Sequence, residues 1–342
     1  MAKVVTMGEI LLRLSPYGYK RFIQAEGFDA VYGGSEANVA VSLANYGDKV
    51  SYITKLVDNP LGDAAVAALK KNNIDCSHIV RGGRRLGIYF LENGCSLRGS
   101  NVVYDREGSS MAEAAEEEFK WDEIFKGADL FHTSGITPVL SKNCAKITER
   151  ALKEAKKRNI LTSFDLNYRA KLWQDKVSEK QKIMNNLMKY VDICLGNARD
   201  AALVLGYSDG STDFITGDYS ICVNRENMTK VIEKYKFKYL FSSLRENISA
   251  SDNKYSALVA SENGIYTGKS YCIHIVDRVG TGDALCAGFL HGILKNGDPR
   301  EALEFGIASG ALKHTIQGDL NHVSEEEVEK IFHGAGTGKV VR

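Results

Sequence analysis

DRVGTGDALCAGFLHG, residues 277–292, decides how this chain is read. A β-rich run, SYCIHIV, leads into Gly280-Thr281-Gly282-Asp283, and an apolar helical stretch follows. Glycines at 280 and 282 let the backbone come close to a ligand. The first N–H groups of a helix have no partner within it, and the positive end of the helix dipole lies behind them. Such a turn forms an anion hole suited to a phosphoryl group in transfer. Asp283 adds a carboxylate at the same point, able to take a proton from an attacking hydroxyl. On spacing alone, the same residues also make a plain helix cap and a tight turn.

Working outward, strand-like and helix-like segments alternate. VVTMGEIL reads as the first strand, and Gly33-Gly34 then opens a helix, SEANVAVSLANYG, with Ala37, Val41 and Ala44 on one face and Gly47 past its end. VSYITKLV, ADLFHTSG, ILTSFDLN, VDICLGN, KYLFSSL and YSALVAS read as strands. GDAAVAALKKNN, NCAKITERALKEAKKRN, DALCAGFLHGILKNG and PREALEFGIASGALKHTI read as helices. SEEEVEKIF follows, with Ser324 and Glu327 spaced as a capping box. This order predicts an α/β fold: a mostly parallel sheet with helices on both faces and ligands at the carboxyl ends of the strands. Two stretches break the alternation, RLSPYGYKRFIQAEGFDAVYGG and RLGIYFLENGCSLRGSNVVYDREG. They are expected to form a small β-sheet lid over the cleft, from about 11–33 and 86–110.

Composition narrows the function. The 342 residues are 44% hydrophobic and 25% charged, with a formal net charge of +1. That is a globular composition without the field that draws a protein to nucleic acid or anionic membrane. The N-terminus lacks the form of a signal peptide, and no apolar run is long enough to span a bilayer, so a cytoplasmic protein is expected. Seven Cys, none spaced C-x-x-C, read as buried free thiols in a reducing compartment. The seven His show no zinc spacing. The tail GAGTGKVVR lacks Walker spacing and is read as a flexible end, leaving residues 1–332 as a single domain and 333–342 as a tail. No G-x-G-x-x-G follows the first strand, which argues against a dinucleotide-binding dehydrogenase.

The segment around Asp283 resembles the second signature of the ribokinase-like carbohydrate kinases, D-x-x-G-[AT]-G-D-x-[FL]-x-[AG]-G, throughout. GGSEANVAVSLANYG resembles their first, a Gly-Gly pair before a helix carrying Asn. The likeness covers roughly residues 3–332 and implies a three-layer ribokinase-like fold and an ATP- and Mg²⁺-dependent sugar kinase. It implies that Asp283 is the catalytic base and that the amides of Gly280, Thr281 and Gly282 form the anion hole. Gly34 and Asn38 would hold sugar hydroxyls. Asn167, Asn197, Ser243 and Arg245, with Gly280 and Gly282, would meet the nucleotide. Adenine is expected near Gly264 and residues 310–321. The family's N-x-x-E motif falls on LGNARD, where Asn197 matches and Asp200 replaces Glu. No direct metal ligand is expected, only a link from Asp200 to Mg²⁺ through water.

Four segments, SFDLNYRAKLW, SGITPVLS, NVVYDREGS and SSLRENISASDNKYSAL, are more similar to 2-keto-3-deoxygluconate kinases than to fructokinases or ribokinases. That subfamily likeness implies a sugar site lined by Gly34, Tyr89, Tyr104, Arg106, Arg169 and Asp283, and phosphorylation of the primary hydroxyl to give a 6-phosphate. The chemistry agrees, because a carboxylate favours arginine recognition. Alternatives are another ketose such as fructose, or a non-catalytic sugar-binding protein on the same scaffold. An exposed lid sheet is expected to pair with a second copy, giving a homo-oligomer.

Overall fold

A computed structural model of the protein describes residues 1–207 and 221–334. Its main sheet runs in the order Gly264–Thr267, Asp252–Ser261, Tyr239–Asn247, Ile193–Leu195, Leu161–Asp165, Leu130–Ser134, Lys3–Met7, Lys49–Ile53, with Tyr271–His274 also paired to Asp252–Ser261. Pairing is parallel from Lys49–Ile53 to Tyr239–Asn247 and antiparallel beyond.

Successive strand residues point to opposite faces, so each strand feeds two cores. Val4, Leu130, Ile193 and Phe241 pack with the helices Ser35–Asn45, Thr281–Asn296 and Pro299–Lys313. Val5, Phe131, Cys194 and Leu240 pack on the other side with Lys142–Lys157, Val177–Met188 and Ala198–Leu205. The helix after the anion-hole turn is therefore apolar nearly all round: Leu285, Phe289 and Leu290 are fully buried. Burying each of these contributes about 1.5–3 kcal/mol, which anchors the turn at its head.

The two non-helical stretches form a separate four-stranded sheet, Phe28–Gly33, Leu11–Pro16, Ile88–Glu92 and Asn101–Asp105 in that order. The reading of VVTMGEIL as one strand is corrected. The run feeds two sheets, Lys3–Met7 in the main sheet and Leu11–Pro16 in the small one, with a break at Gly8–Ile10. At Gly8 a Cβ would lie 2.1 Å from Glu36 Oε2, a crowding that hydrophobic periodicity cannot reveal. The capping box at Ser324 and Glu327 is present. Cys144, Cys194 and Cys286 are buried, whereas Cys272 is exposed, which corrects the uniform reading of buried thiols. Among the described residues, no helix is long and apolar enough to cross a membrane. The tail after residue 334 lies outside the described residues.

Candidate active site

The site is a cleft of about 1300 Å³ at the carboxyl ends of the parallel strands, walled on one side by the small sheet. The residues expected at the sugar, at the phosphates and in catalysis all line it: Gly34, Asn38, Tyr89, Tyr104, Arg106 and Arg169 toward the lid, and Asn167, Asn197, Asp200, Ser243, Arg245 and Gly280–Asp283 toward the opposite end.

The helix Thr281–Asn296 starts at Gly280, whose φ is 79°. A Cβ there would lie 2.1 Å from the Asp319 carbonyl oxygen, so only glycine fits both the dihedral and the space. The amides of Gly282 and Asp283, in the first turn, have no acceptor within the helix. Arg245 Nη2 donates to Thr281 Oγ1 at 3.1 Å beside this turn.

Asp283 is clasped from the first helix. Ser35 Oγ donates to Oδ1 at 2.8 Å and Asn38 Nδ2 to Oδ2 at 2.8 Å. Burial pushes the Asp283 carboxyl above the usual carboxylate range, while these hydrogen bonds and Arg169 pull against that shift. A raised but still ionisable carboxyl is suited to general-base work near neutral pH.

The geometry revises several expected roles. Asn38, expected to hold a sugar hydroxyl, is only 3% exposed, and its amide links Asp283 to the Gly34 N–H, which it accepts at 3.3 Å. In this arrangement its side chain holds the Asp283 carboxyl in place. The Tyr89 hydroxyl donates to Asp319, so what Tyr89 presents to the cleft is its ring, 6.0 Å from that of Tyr104. Arg106 binds Glu9 through Nε and Nη2, leaving Nη1 as the nitrogen outside that pair. Arg169 is exposed at the cleft wall, with Nη1 on the Tyr168 carbonyl. Asn197 and Asp200 cap the helix Ala198–Leu205 for each other, the side chain of each accepting from the other's amide. Asp200 therefore has a structural partner already, and burial raises its carboxyl. Gly264, expected near adenine, does not line the cleft; the strand it opens reaches the cleft at its other end, at Thr267 and Gly268. Of residues 310–321, Asp319 reaches it.

Sequence reading missed Ser35, Glu9, Asp165, Lys171 and Asp319, all of which line the cleft. Ser35 was findable as the residue opening the Gly-Gly helix. Asp319 had no local signal, since its side-chain partners Arg13 and Tyr89 lie more than two hundred residues away in sequence. Asn167 has a left-handed backbone, φ 42°, and its Nδ2 donates to Ser35 Oγ at 2.8 Å and Asp165 Oδ2 at 3.0 Å. Its Oδ1 is buried without a hydrogen-bond partner. Asp165 is pushed well up by burial and by the neighbouring Asp283. Against these acids stand Arg169, Lys171, Arg199, Arg245, Lys254 and Arg278, a cationic lining that suits a polyanion.

A carboxylate at the head of a glycine-led helix, facing a cleft lined by cations, is an arrangement suited to phosphoryl transfer to a small alcohol. Comparison with known proteins makes the class specific. The sequence profile of the pfkB family carbohydrate kinases matches residues 1–326. A crystal structure of a 2-dehydro-3-deoxygluconokinase from Thermotoga maritima is 46% identical, with a TM-score of 0.92 over 97% of this chain and 98% of that one. A 2-dehydro-3-deoxygalactonokinase of Haloferax volcanii is 31% identical over 98% of both chains. A 2-dehydro-3-deoxygluconokinase of Thermoproteus tenax is 28% identical over 97% of this chain and 94% of its own. The chain belongs to the PfkB family of carbohydrate kinases and has its ribokinase-like fold.

Proposed function

We propose that the protein transfers the γ-phosphoryl group of ATP to the primary hydroxyl of 2-keto-3-deoxygluconate, giving the 6-phosphate. The observation that carries this reading is Asp283, held by Ser35 and Asn38 at the anion-hole turn. Asp283 takes the proton as the hydroxyl oxygen attacks, and the amides at the head of its helix steady the charge on the phosphoryl oxygens. Gly34 and the rings of Tyr89 and Tyr104 bound the sugar. Arg169 and the remaining nitrogen of Arg106 meet its carboxylate. Arg245 and Ser243 face the phosphates.

Mg²⁺ fits this donor set, since the orphaned Asn167 Oδ1 and the Asp165 and Asp200 carboxyls are hard oxygen ligands able to hold it through water. Held there, it would supply positive charge to offset that of the phosphates. Among the described residues no group of three or more His, Cys, Asp and Glu could grip a metal directly.

The three relatives named above carry two epimeric substrate names, 2-dehydro-3-deoxygluconate and 2-dehydro-3-deoxygalactonate. The gluco reading rests on the sequence segments and on the 46% identical neighbour. A neutral ketose is the second reading, favoured by one observation: Glu9 already neutralises Arg106. The protein works in the cytoplasm as a homo-oligomer, a reading supported by exposed apolar side chains on and beside the lid, Ile23, Phe28, Leu97 and Val103. Light scattering that shows a monomer at micromolar concentration contradicts that assembly.

The test is ADP release with ATP and Mg²⁺ on the gluco and galacto keto-deoxy acids, fructose, ribose and gluconate. A preference for the keto-deoxy acids supports the reading, and the ratio between epimers decides the substrate. Preference for fructose keeps the kinase and removes the carboxylate roles of Arg106 and Arg169.

A further inference from the structure

Beneath the anion hole lies a buried charge network that the reaction scheme above does not use. Arg13, in the second strand of the lid, donates through Nη2 to Asp277 Oδ2 and through Nη1 to Asp319 Oδ1, both at 2.8 Å. Nε donates to Ser15 Oγ at 2.8 Å, so each guanidinium nitrogen has a partner. The three charged side chains are 2–3% exposed. Tyr89, paired opposite Arg13 on the neighbouring lid strand, donates its hydroxyl to the same Asp319.

These two aspartates frame the anion-hole turn. Asp277 Oδ1 accepts the Val279 amide at 3.0 Å, and Oδ2 accepts the Gly318 amide at 3.0 Å. The Asp319 carbonyl oxygen is the atom packed against Gly280. Lys313, fully buried, donates to the Ile316 carbonyl at 2.9 Å and brings its Cε within 3.4 Å of where a Gly280 Cβ would stand. Two acids and two cations thus balance under the turn. Buried charges held this way resist displacement, because moving one leaves the others uncompensated.

We infer that Arg13 is a positioning residue for phosphoryl transfer: with Tyr89 it ties the lid sheet to the 277–282 turn, so that the seating of the lid sets the geometry of the anion hole. Tyr89 presents its ring to the cleft and its hydroxyl to the network, so contact with the sugar and alignment of the turn share one side chain. This inference rests on the kinase reading for its purpose, although its test does not require that any sugar be turned over.

The experiment compares Arg13→Gln, Arg13→Lys and Tyr89→Phe with wild type by calorimetric binding of Mg-ADP, and of Mg-ADP with aluminium fluoride as a mimic of the phosphoryl group in flight. Preorganisation of the hole predicts that Arg13→Gln weakens the fluoride complex by about tenfold to a hundredfold but ADP by less than about threefold. Arg13→Lys recovers part of the loss. With the preferred sugar, kcat falls in parallel and KM for ATP holds. Equal weakening of both complexes, or no weakening of either, overturns the inference. If Arg13→Gln does not fold, Tyr89→Phe decides by the same pair of titrations: a selective loss on the fluoride complex supports the tie, and an unchanged ratio overturns it. Absence of sugar turnover in wild type removes the kinase reading and leaves these titrations interpretable.

Discussion

The two halves of the cleft are built in different ways. On the side proposed for the sugar three polar side chains are already bound to others: Arg106 to Glu9, Tyr89 to Asp319, Asn38 to Asp283. On the side proposed for the nucleotide the wall is a strand, a hairpin end and a helix head, with long cations held by neutral oxygens rather than by carboxylates. Arg245 reaches Thr281 Oγ1, and Arg278 takes Asn247 Oδ1 and the Ser249 carbonyl. A wall fixed before binding loses little freedom when the ligand arrives and penalises a wrong shape. A wall of amides and cations without carboxylate partners suits a polyphosphate. On the proposed function, choice among sugars belongs to the first half and general phosphate affinity to the second.

The largest effect expected is from Asp283→Asn. Removing a general base costs roughly 10²- to 10⁴-fold in kcat. The fold should not suffer, because asparagine nearly matches the shape of aspartate and burial penalises the charge that is removed. Single-turnover rates and a thermal midpoint, measured on the same preparation, check both halves of that statement. Lost activity accompanied by a collapsed midpoint would mean that Asp283 is a structural cap.

Next is Arg169→Ala. A charge-assisted hydrogen bond contributes about 1.5–3 kcal/mol, so kcat/KM for a keto-deoxy acid should fall about tenfold to a hundredfold while fructose is unaffected. Equal losses on the two sugars would break the division between the halves. Arg245→Ala is the matching probe of the other half. Its expected signature is a KM for ATP raised by about threefold to tenfold, in the same ratio whichever sugar is used.

The smallest effect is in the pH profile. Asp283 works ionised, so activity is present above its raised pKa and lost as pH falls through it. The acid limb of kcat/KM should therefore lie above the ordinary aspartate value of about 3.9. For stability the sign is opposite: a raised carboxyl contributes most below its unfolded pKa, and that contribution is lost as pH rises through the folded value. A rate profile and a pH series of melts should thus move in opposite directions across the same window.

The same contrast explains what could be read without coordinates. The nucleotide half announces itself in one continuous segment, because an anion hole is a local device: glycines, then a helix, then a carboxylate. The alternation of strand and helix likewise follows from local periodicity, and the small sheet shows as two stretches lacking it. What escaped are pairings between distant segments. Glu9 looks like part of a strand until Gly8 turns the chain and delivers it to Arg106. Asn38 looks like a sugar ligand until Asp283 arrives from the far end of the chain. Asp319 has no pattern around it, yet it touches Arg13, Tyr89 and Gly280. Gly264 lies off the cleft while Thr267 and Gly268 line it, and a hairpin's sequence does not say which of its ends meets the cleft.

The most direct measurement is the identity of the product. The protein should be incubated with ATP, Mg²⁺ and 2-keto-3-deoxygluconate, and the product examined by phosphorus NMR with proton coupling. A single new phosphate ester coupled to the two protons of the terminal carbon is the predicted result. ADP and free inorganic phosphate without an ester, or an ester at a secondary hydroxyl, would contradict the account.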